Sequence, residues 1–398
     1  MRRDVVYADR ISQLPPYLFA RIDELKAEAR KRGVDLIDLS IGDPDIPTPR
    51  SIIDALYEAA KNPSTHRYPT YDGMLPFREA VAGWYARSKG VKLNPEDEVI
   101  ALIGSKEGIA HIPFAFVNPG DYVLVPDPAY PVYFNATILA GGIPRTLPLL
   151  DENEFRPDLT AIEPEILKRS KILFLNYPNN PTTATADGDF FREVVDLARE
   201  YDIVVCHDNP YSEIVFDDTR AMSFLEVDGA IEIGLEFNSL SKTCNMTGWR
   251  IGFAVGASDL LAGLLKVKTN IDSGIFEAVQ WAGIRALEIA DEVARANTQI
   301  YKERRDVLCR GLEGAGFEFK PPAATFYVWV RVPGGYDSIS FAEALLSRCG
   351  IVVTPGVGFG QHGEGFVRFA LTEPVERIEE AVERIEEAFG EAEKAKDL

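Results

Sequence analysis

The middle of the chain is a succession of short apolar runs separated by stretches with helical periodicity. The runs lack the alternation of polar and apolar residues typical of a half-exposed strand, so each predicts a strand buried on both faces. Helices between such strands predict an α/β fold with a mostly parallel central sheet. The runs are VIALIG (99–104), DYVLVPD (121–127), KILFLNYP (171–178), DIVVCHD (202–208), LEFNSLS (235–241) and RIGFAVG (250–256).

The pattern changes after residue 285, where a long helical stretch is followed by further β-rich runs and a terminal amphipathic helix. This change predicts a large domain over residues 46–285 and a small α+β domain over residues 286–398. Residues 1–45 are predicted to be an N-terminal arm that packs on the small domain. The β-rich runs are ATFYVWVRV (324–332), IVVTPGVGF (351–359) and GFVRFALT (365–372).

The charge balance excludes several partner classes. With 42 basic and 62 acidic residues, the net charge is −20, which repels nucleic acid and anionic lipid. No apolar run approaches the length of a membrane span, and no apolar segment follows the two arginines at the start, so neither a span nor a signal peptide is predicted. The four cysteines are far apart and form no CxxC pair, which predicts free thiols, no metal and a cytoplasmic protein.

Polar side chains follow several of the predicted strands, at the sheet edge where ligands of such folds bind. Ser105 and Lys106 open a helix, where free backbone N–H groups can bind phosphate, although a capping serine and a surface lysine explain the same residues. Tyr130 lies between prolines in PDPAYPVY, where a rigid ring can stack on a planar ligand or simply pack a turn. Asn180, in LNYPNNPTT, can donate a hydrogen bond to a ligand oxygen or belong to an ordinary turn.

Two further strand ends carry reactive groups. Asp208 ends the apolar DIVVCHD run with Tyr211 three residues on, and a buried carboxylate there needs a partner. In SLSKTCNMTGWRIGF, Lys242 lies among small polar residues, with Ser239 before it and Arg250 after it.

One ligand would use all these groups together: a planar, phosphorylated pyridine that carries an aldehyde. Ser105, Lys106, Ser239 and Arg250 would bind the phosphate, Tyr130 the ring face, and Asn180 and Tyr211 the ring oxygen. Asp208 would keep the ring nitrogen protonated, and Lys242 would join the aldehyde. The sequence therefore predicts pyridoxal 5′-phosphate as the cofactor.

The ordered set of motifs resembles the class I/II aminotransferases of pyridoxal-phosphate fold type I along nearly the whole chain. The resemblance implies that Lys242 is the Schiff-base lysine and the acid–base group, and that Asp208 and Tyr211 serve the pyridine ring. The motifs are IGDPDIPTP near the start, RYPTYDG (67–73), NPT (180–182), DNPY (208–211), SLSK (239–242), GWRIGF (248–253) and RFAL (368–371).

The same resemblance implies how substrates and subunits are arranged. Arg368 would bind the substrate α-carboxylate together with the Gly42 backbone and Asn180; the alternative for Arg368 is an exposed charge on a strand. Tyr68 would reach the cofactor phosphate of a neighbouring subunit, which implies a homodimer with active sites at the interface. The partners would be small-molecule substrates, amino acids and 2-oxo acids.

Within the family, the chain is most similar to the LL-diaminopimelate aminotransferases, in the stretches 14–23, 103–111, 245–256 and 269–280. That resemblance implies a ping-pong exchange between LL-diaminopimelate and 2-oxoglutarate in lysine biosynthesis. Three positions depart from the family pattern: Thr183 stands where many members have glycine, Tyr71 where the better-known branch of the enzyme has a glutamate, and Ser273 near the place where that branch has an asparagine. Candidates for reading the distal end of the substrate are Tyr17, Tyr71, Lys106, Asp272 and Ser273.

Alternatives stay open at this point. Asp272 could be a helix N-cap, and Lys268 a surface lysine rather than a second carboxylate receptor. The substrate could be alanine, aspartate or an aromatic amino acid, or the chemistry that of a carbon–sulfur lyase. An effector-sensing regulator is disfavoured by the net charge of −20.

Overall fold

The strands form three sheets in the computed structural model, which describes residues 6–15 and 18–394. Five of the strands come from the C-terminal third or from the stretch just before residue 40, and seven come from the centre of the chain. The strands are β1 (Ile37–Asp38), β2 (Val99–Leu102), β3 (Tyr122–Asp127), β4 (Ile143–Pro148), β5 (Ser170–Asn176), β6 (Val204–Asp208), β7 (Gly234–Ser239), β8 (Gly252–Gly256), β9 (Tyr327–Arg331), β10 (Ile351–Val352), β11 (Thr354–Pro355) and β12 (Phe366–Ala370).

The central sheet has seven strands in the order β2-β8-β7-β6-β5-β3-β4. Strands β3 to β7 pair in parallel, and β8 runs antiparallel to both β2 and β7. All six apolar runs of the centre lie in this sheet, so the predicted α/β fold with a mostly parallel sheet is confirmed. The parallel arrangement brings the carboxyl ends of β5, β6 and β7 to one edge.

Strand β4 was not anticipated from the sequence. Its residues IPRTLP include Pro144 and Pro148, and only Leu147 is buried along it. It pairs with β3 alone, at the edge of the sheet. Proline is tolerated at an edge because no neighbour needs its missing N–H, so the strand carries no strong sequence signal.

Two apolar clusters cover the two faces of the central sheet. Alternate strand residues point to opposite faces, so that Leu173 and Val205 join one cluster while Phe174 and Cys206 join the other. Helices supply the rest of both clusters. The helices are α1 (Asp9–Ser12), α2 (Leu18–Lys31), α3 (Arg50–Ala60), α4 (Leu75–Ser88), α5 (Ser105–Phe116), α6 (Val132–Leu139), α7 (Pro164–Leu167), α8 (Gly188–Tyr201), α9 (Leu240–Thr243), α10 (Ser258–Ile271), α11 (Glu277–Glu288), α12 (Ala290–Gly314), α13 (Ser338–Cys349) and α14 (Val375–Lys394).

A third apolar cluster surrounds the C-terminal sheet, in which β12 lies between β11 and β9. Ile37 and Leu39 belong to this cluster, and β1 pairs in parallel with β10. The segment before residue 40 therefore contacts the C-terminal part of the chain, whereas the domain boundaries at 45 and 285 stay predictions. Within the described residues, no helix combines the length and the apolar character needed to cross a bilayer.

Candidate active site

A cavity of about 480 Å³ opens at the carboxyl edge of the central sheet. The last residues of three adjacent strands, Asn176 of β5, Asp208 of β6 and Ser239 of β7, line it. The C-terminal strands contribute the opposite wall through Tyr327 and Arg368. The sequence-predicted residues that line this cavity are Gly42, Ser105, Lys106, Tyr130, Asn180, Asp208, Tyr211, Ser239, Lys242, Arg250 and Arg368.

One end of the cavity carries several groups that can bind an anion. Helix α5 begins at Ser105, directly after Gly104, whose φ of +76° places it in the left-handed region. A Cβ on Gly104 would lie 2.2 Å from the Arg250 guanidinium, so glycine lets the helix start and the arginine come together. The Ser239 hydroxyl lines the same cavity and accepts a hydrogen bond from Ser241 N at 3.2 Å. Free N–H groups, a hydroxyl and a guanidinium are the donors that bind phosphate.

Asp208 presents an open carboxylate oxygen. The Tyr133 hydroxyl donates to its Oδ2 at 2.7 Å, whereas Oδ1 has no hydrogen-bond partner among the described residues. The side chain is 6% exposed, and burial raises its pKa to about 6 against the opposing effects of Tyr133 and His207. A cationic N–H donor at Oδ1 would restore the ionised form. Tyr133 was missed from the sequence, although it lies on α6 one turn after Tyr130.

Lys242 lies in the same cavity with its amine held in place. Its Nζ donates to Gly42 O at 2.6 Å and lies 5.5 Å from the centre of the Phe326 ring. Burial lowers its pKa to about 8, helped by the positive charges of Arg368 and Arg250 and opposed by Asp43. An amine with such a pKa is available as a nucleophile or a base near neutral pH.

Arg368 is a buried cation without a carboxylate partner among the described residues. It is 3% exposed, so the alternative of an exposed strand charge is wrong. It donates to Asn180 Oδ1 at 2.6 Å and to Ser40 O at 2.7 Å, and its Nε is unpaired among the described residues. Burial lowers its pKa. A guanidinium held by neutral acceptors in a cavity is suited to bind a ligand carboxylate.

The loop that carries Asn180 adopts a conformation unusual for its sequence. Thr183, where many family members have glycine, has φ of +65°, the left-handed region that a β-branched side chain rarely occupies. Its N–H donates to Asn179 O at 3.0 Å. The loop therefore keeps a glycine-like backbone despite the threonine, and Asn180 N reaches Asn176 Oδ1 at 2.9 Å.

Several predicted residues lie outside the cavity. Tyr68 is 93% exposed and Tyr71 is 43% exposed, so both side chains face away from the core of their own chain. Asp272 and Ser273 follow the last residue of α10 and do not line the cavity. Tyr17 lies outside the described residues.

A buried ionic cluster contains Asp272 and corrects two sequence interpretations. Lys268 is fully buried rather than on the surface, and its Nζ donates to Glu107 Oε1 at 2.7 Å, to Asp272 Oδ1 at 2.9 Å and to Ser273 O at 3.2 Å. Asp272 follows the C-terminal end of α10, so it is not a helix N-cap.

The same cluster includes His111, whose Nδ1 lies 3.7 Å from a carboxylate oxygen of each acid. Glu107, His111 and Asp272 could by spacing hold a metal, but the Lys268 ammonium already contacts both carboxylates. Burial raises the pKa of Glu107 to about 7, with Asp272 acting in the same direction and Lys268 against it.

Comparisons with known proteins give one family model and several relatives that this chain matches. The model of the family "Aminotransferase class I and II" matches residues 34–385. An LL-diaminopimelate aminotransferase of Syntrophobacter fumaroxidans is 57% identical over 94% of this chain and 97% of its own length. Its counterpart in Moorella thermoacetica is 55% identical over 97% of this chain and 99% of its own. A solved structure from Thermus thermophilus, titled "probable N-succinyldiaminopimelate aminotransferase", superposes with a TM-score of 0.89 at 43% identity, covering 93% of this chain and all of its own.

Proposed function

The chain belongs to the family of class I and II aminotransferases, and from this premise we propose that it exchanges an amino group between LL-diaminopimelate and 2-oxoglutarate with pyridoxal 5′-phosphate as cofactor. One observation carries the proposal. A single cavity contains an amine of lowered pKa at Lys242, a carboxylate with an open oxygen at Asp208, and a buried arginine without an acidic partner among the described residues at Arg368.

The residues present fit the cofactor. The open Oδ1 of Asp208 matches a protonated pyridine nitrogen, which is the kind of donor that a buried carboxylate lacks here. The helix start at Ser105, with Arg250 beside Gly104, matches a phosphate. When bound, pyridoxal phosphate supplies a carbonyl carbon for covalent attachment and a ring that accepts the electron pair of a broken Cα–H bond.

Lys242 provides both the covalent attachment and the proton transfer. Its amine, whose pKa is lowered to about 8, would be an effective nucleophile toward the cofactor carbonyl and, as a free amine, an effective base toward the substrate Cα–H. The Gly42 carbonyl accepts a hydrogen bond from this amine at 2.6 Å, which fixes the position of Nζ in the cavity. Each 2-oxo product leaves before the next substrate enters, so we expect ping-pong kinetics.

Arg368 orients the substrate. A bidentate α-carboxylate would add a negative charge beside a guanidinium whose acceptors in the described part of the chain are neutral, Asn180 Oδ1 and Ser40 O. The stacking of that guanidinium on Tyr327 fixes the plane in which the carboxylate binds. With the carboxylate held in this plane, the Cα–H bond would keep a fixed distance and direction from the Lys242 amine.

The assignment of LL-diaminopimelate, and with it lysine biosynthesis, rests on the named relatives at 55% and 57% identity over nearly the full length. For the distal amino acid group we retain Lys106, whose Nζ lies 5.4 Å from the Tyr130 ring centre, together with Tyr17, Tyr71, Asp272 and Ser273. Tyr71, Asp272 and Ser273 would act from segments outside the cavity of their own chain, and Tyr17 lies outside the described residues.

We further propose a cytoplasmic homodimer whose active sites lie at the subunit interface. Five aromatic side chains are between 42% and 93% exposed: Tyr57, Tyr68, Tyr71, Phe276 and Trp281. Helix α11, which carries Trp281 and follows Phe276, packs on α3, which carries Tyr57, and Gly274 lies against Pro69 and Thr70. A second copy of the chain would cover them and bring Tyr68 to the partner's phosphate subsite. The cytoplasmic location is supported by four buried, unpaired cysteines.

The direct test is a panel of amino donors assayed with 2-oxoglutarate, including LL- and meso-diaminopimelate, alanine, aspartate, phenylalanine and cystathionine. We expect LL-diaminopimelate to give the highest kcat/KM. A preference for alanine, aspartate or phenylalanine would contradict the proposed substrate and leave the class of reaction intact. Pyruvate released from cystathionine without any 2-oxo acid would contradict transamination itself.

A further inference from the structure

We propose that Tyr327 is a positioning residue that joins the two halves of the site: its ring fixes the plane of the Arg368 guanidinium, and its hydroxyl fixes the proton of Tyr211. The inference rests on the proposed function, in which Arg368 binds the substrate carboxylate and Tyr211 the cofactor ring oxygen. Tyr327 begins β9 and lines the cavity.

The ring of Tyr327 supports Arg368 from one side. The guanidinium carbon lies 4.1 Å from the Tyr327 ring centre and 4.7 Å from that of Phe359. Cross-strand pairing makes this contact possible, because Ala370 lies opposite Tyr327 in the register of β12 and β9, two residues from Arg368. An aromatic face stabilises a desolvated guanidinium and restrains its plane. Removing the ring therefore disturbs the carboxylate subsite.

The hydroxyl of Tyr327 acts on a different group. It lies 3.1 Å from the Tyr211 hydroxyl, and either oxygen could be the donor. Tyr211 has a single hydroxyl proton, so it can donate into the cavity only if it does not donate that proton to Tyr327 and accepts from Tyr327 instead. Tyr327 is the donor within reach in the described part of the chain. Burial raises the pKa of both tyrosines, which keeps both hydroxyl protons in place.

The backbone at Gly42 ties the same hydroxyl to Lys242. A Cβ at Gly42 would lie 1.8 Å from the Tyr327 hydroxyl oxygen, so the backbone there packs directly against Tyr327. The carbonyl of Gly42 accepts from Lys242 Nζ at 2.6 Å. Tyr327 thus contacts the guanidinium, the second tyrosine and the glycine that holds the lysine.

The test separates the hydroxyl from the ring in the cofactor-loaded enzyme. Tyr327→Phe removes only the hydroxyl, so the Tyr211 oxygen no longer accepts the hydrogen bond that orients its proton toward the cavity and strengthens its donation. We expect the pKa of the pH-dependent visible absorption band to rise by at least about 0.5 unit, because a donor to the ring oxygen stabilises the deprotonated state. Binding of propionate, a carboxylate without an amino group, should stay within about twofold of wild type by calorimetry.

Tyr327→Leu removes the ring as well. We expect the same rise in the absorption pKa and, in addition, about tenfold weaker propionate binding, because the guanidinium loses its aromatic support. Tyr301→Phe is the matched control. Tyr301 is fully buried, its ring lies 5.2 Å from Phe326, and its hydroxyl has no hydrogen-bond partner among the described residues. This control should change neither the absorption pKa nor propionate binding.

Two results would overturn the inference: an absorption pKa of Tyr327→Phe within about 0.2 unit of wild type, or wild-type propionate binding by Tyr327→Leu. Failure of the proposed function looks different. Wild-type protein mixed with pyridoxal phosphate would then show no visible band that depends on Lys242, and this result would remove the premise of the inference as well.

Discussion

Two neighbouring residues of β6, His207 and Asp208, lie in opposite kinds of polar surroundings. His207 belongs to a buried network around Glu236, whose carboxylate accepts from Tyr85 at 2.7 Å and from Ser223 at 2.8 Å and contacts His207 Nδ1 at 2.9 Å. Asp208, on the other face of the strand, has one donor to Oδ2 and none to Oδ1 among the described residues.

The difference teaches which polar groups stabilise the fold and which are reserved for a ligand. Burial would raise the pKa of Glu236, but the hydrogen bonds from His207, Tyr85 and Asn209 reverse this and lower it. For Asp208 burial prevails, and the pKa is raised to about 6. A carboxylate with every oxygen satisfied stabilises the folded state, whereas one left open destabilises it until a ligand binds.

The largest expected effect is a loss of activity without a loss of stability, at the cavity lysine. Lys242→Ala should lower kcat by about 10⁴-fold, because both the covalent attachment and the proton transfer are lost. The free energy of unfolding of the cofactor-free protein should stay equal or rise, since a buried amine with a lowered pKa has been removed. Transaminase assays and urea titrations measure the two quantities. Retained turnover would show that another group does the chemistry.

The buried network around Glu236 should respond in the opposite way, with a large loss of stability when its acceptor is removed. Glu236→Ala leaves the Tyr85 and Ser223 hydroxyls and the His207 ring without their common acceptor, and we expect a loss of about 4 kcal/mol in the free energy of unfolding. Glu232→Ala is the control, because Glu232 is exposed and paired with Arg199 on the surface; its effect should be below about 0.5 kcal/mol. Equal effects of the two variants would contradict the conclusion that the fully hydrogen-bonded network around Glu236 stabilises the fold.

The Lys268 cluster offers a second ionic region for the comparison, in which one ammonium contacts two carboxylates while His111 Nδ1 has no hydrogen-bond partner among the described residues. Lys268→Met keeps the length of the side chain and removes its charge, which leaves Glu107 and Asp272 facing each other without the ammonium. We expect about 3 kcal/mol of destabilisation at pH 8 by thermal or urea unfolding. Lys266→Met, on the exposed face of the same helix, should change stability little. A neutral Lys268→Met would mean that the cluster relaxes or admits water.

Asp208→Asn in the cofactor-free protein tests whether the open carboxylate in the cavity lowers the free energy of unfolding. The folded pKa of Asp208 is raised from 3.8 to about 6, so the wild-type protein loses stability as the pH rises from about 3.8 through 6. The substitution should therefore stabilise by about 3 kcal/mol above pH 6 and by progressively less toward pH 4. Chemical unfolding across this pH range measures the difference. A gain independent of pH would indicate that the charge of Asp208 is not its source.

The smallest expected effect concerns the loop beside Asn180. Thr183→Gly should stabilise by about 0.5 kcal/mol, since relief of the left-handed φ of +65° exceeds the added flexibility of the unfolded chain. The variant should keep the KM for 2-oxoglutarate, because the Asn180 backbone position does not change. A raised KM would show that the threonine side chain itself orients Asn180.

Sequence reasoning predicted the central sheet because its strands are apolar on both faces, and it anticipated most of the cavity because the polar residues at strand ends are few. It missed β4, an edge strand that contains two prolines. It also missed Tyr133 and Tyr327, because an aromatic residue within an apolar stretch looks the same whether its hydroxyl is free or aimed at a carboxylate. The surface assignment of Lys268 was wrong for a related reason: its acids, Glu107 and Asp272, come from another helix and from the end of its own.

The sequence by itself determined the class of fold, the strand-end chemistry and the identity of the family, since these follow from local hydrophobic pattern and from short motifs. Only the tertiary structure decided which polar groups are satisfied and which stay open, as with His207 and Asp208 on one strand. The physical reason is that hydrogen bonding and desolvation depend on partners far away in the chain. Glu236 and Tyr85 are 151 residues apart, and neither local sequence indicates that the two side chains form a hydrogen bond.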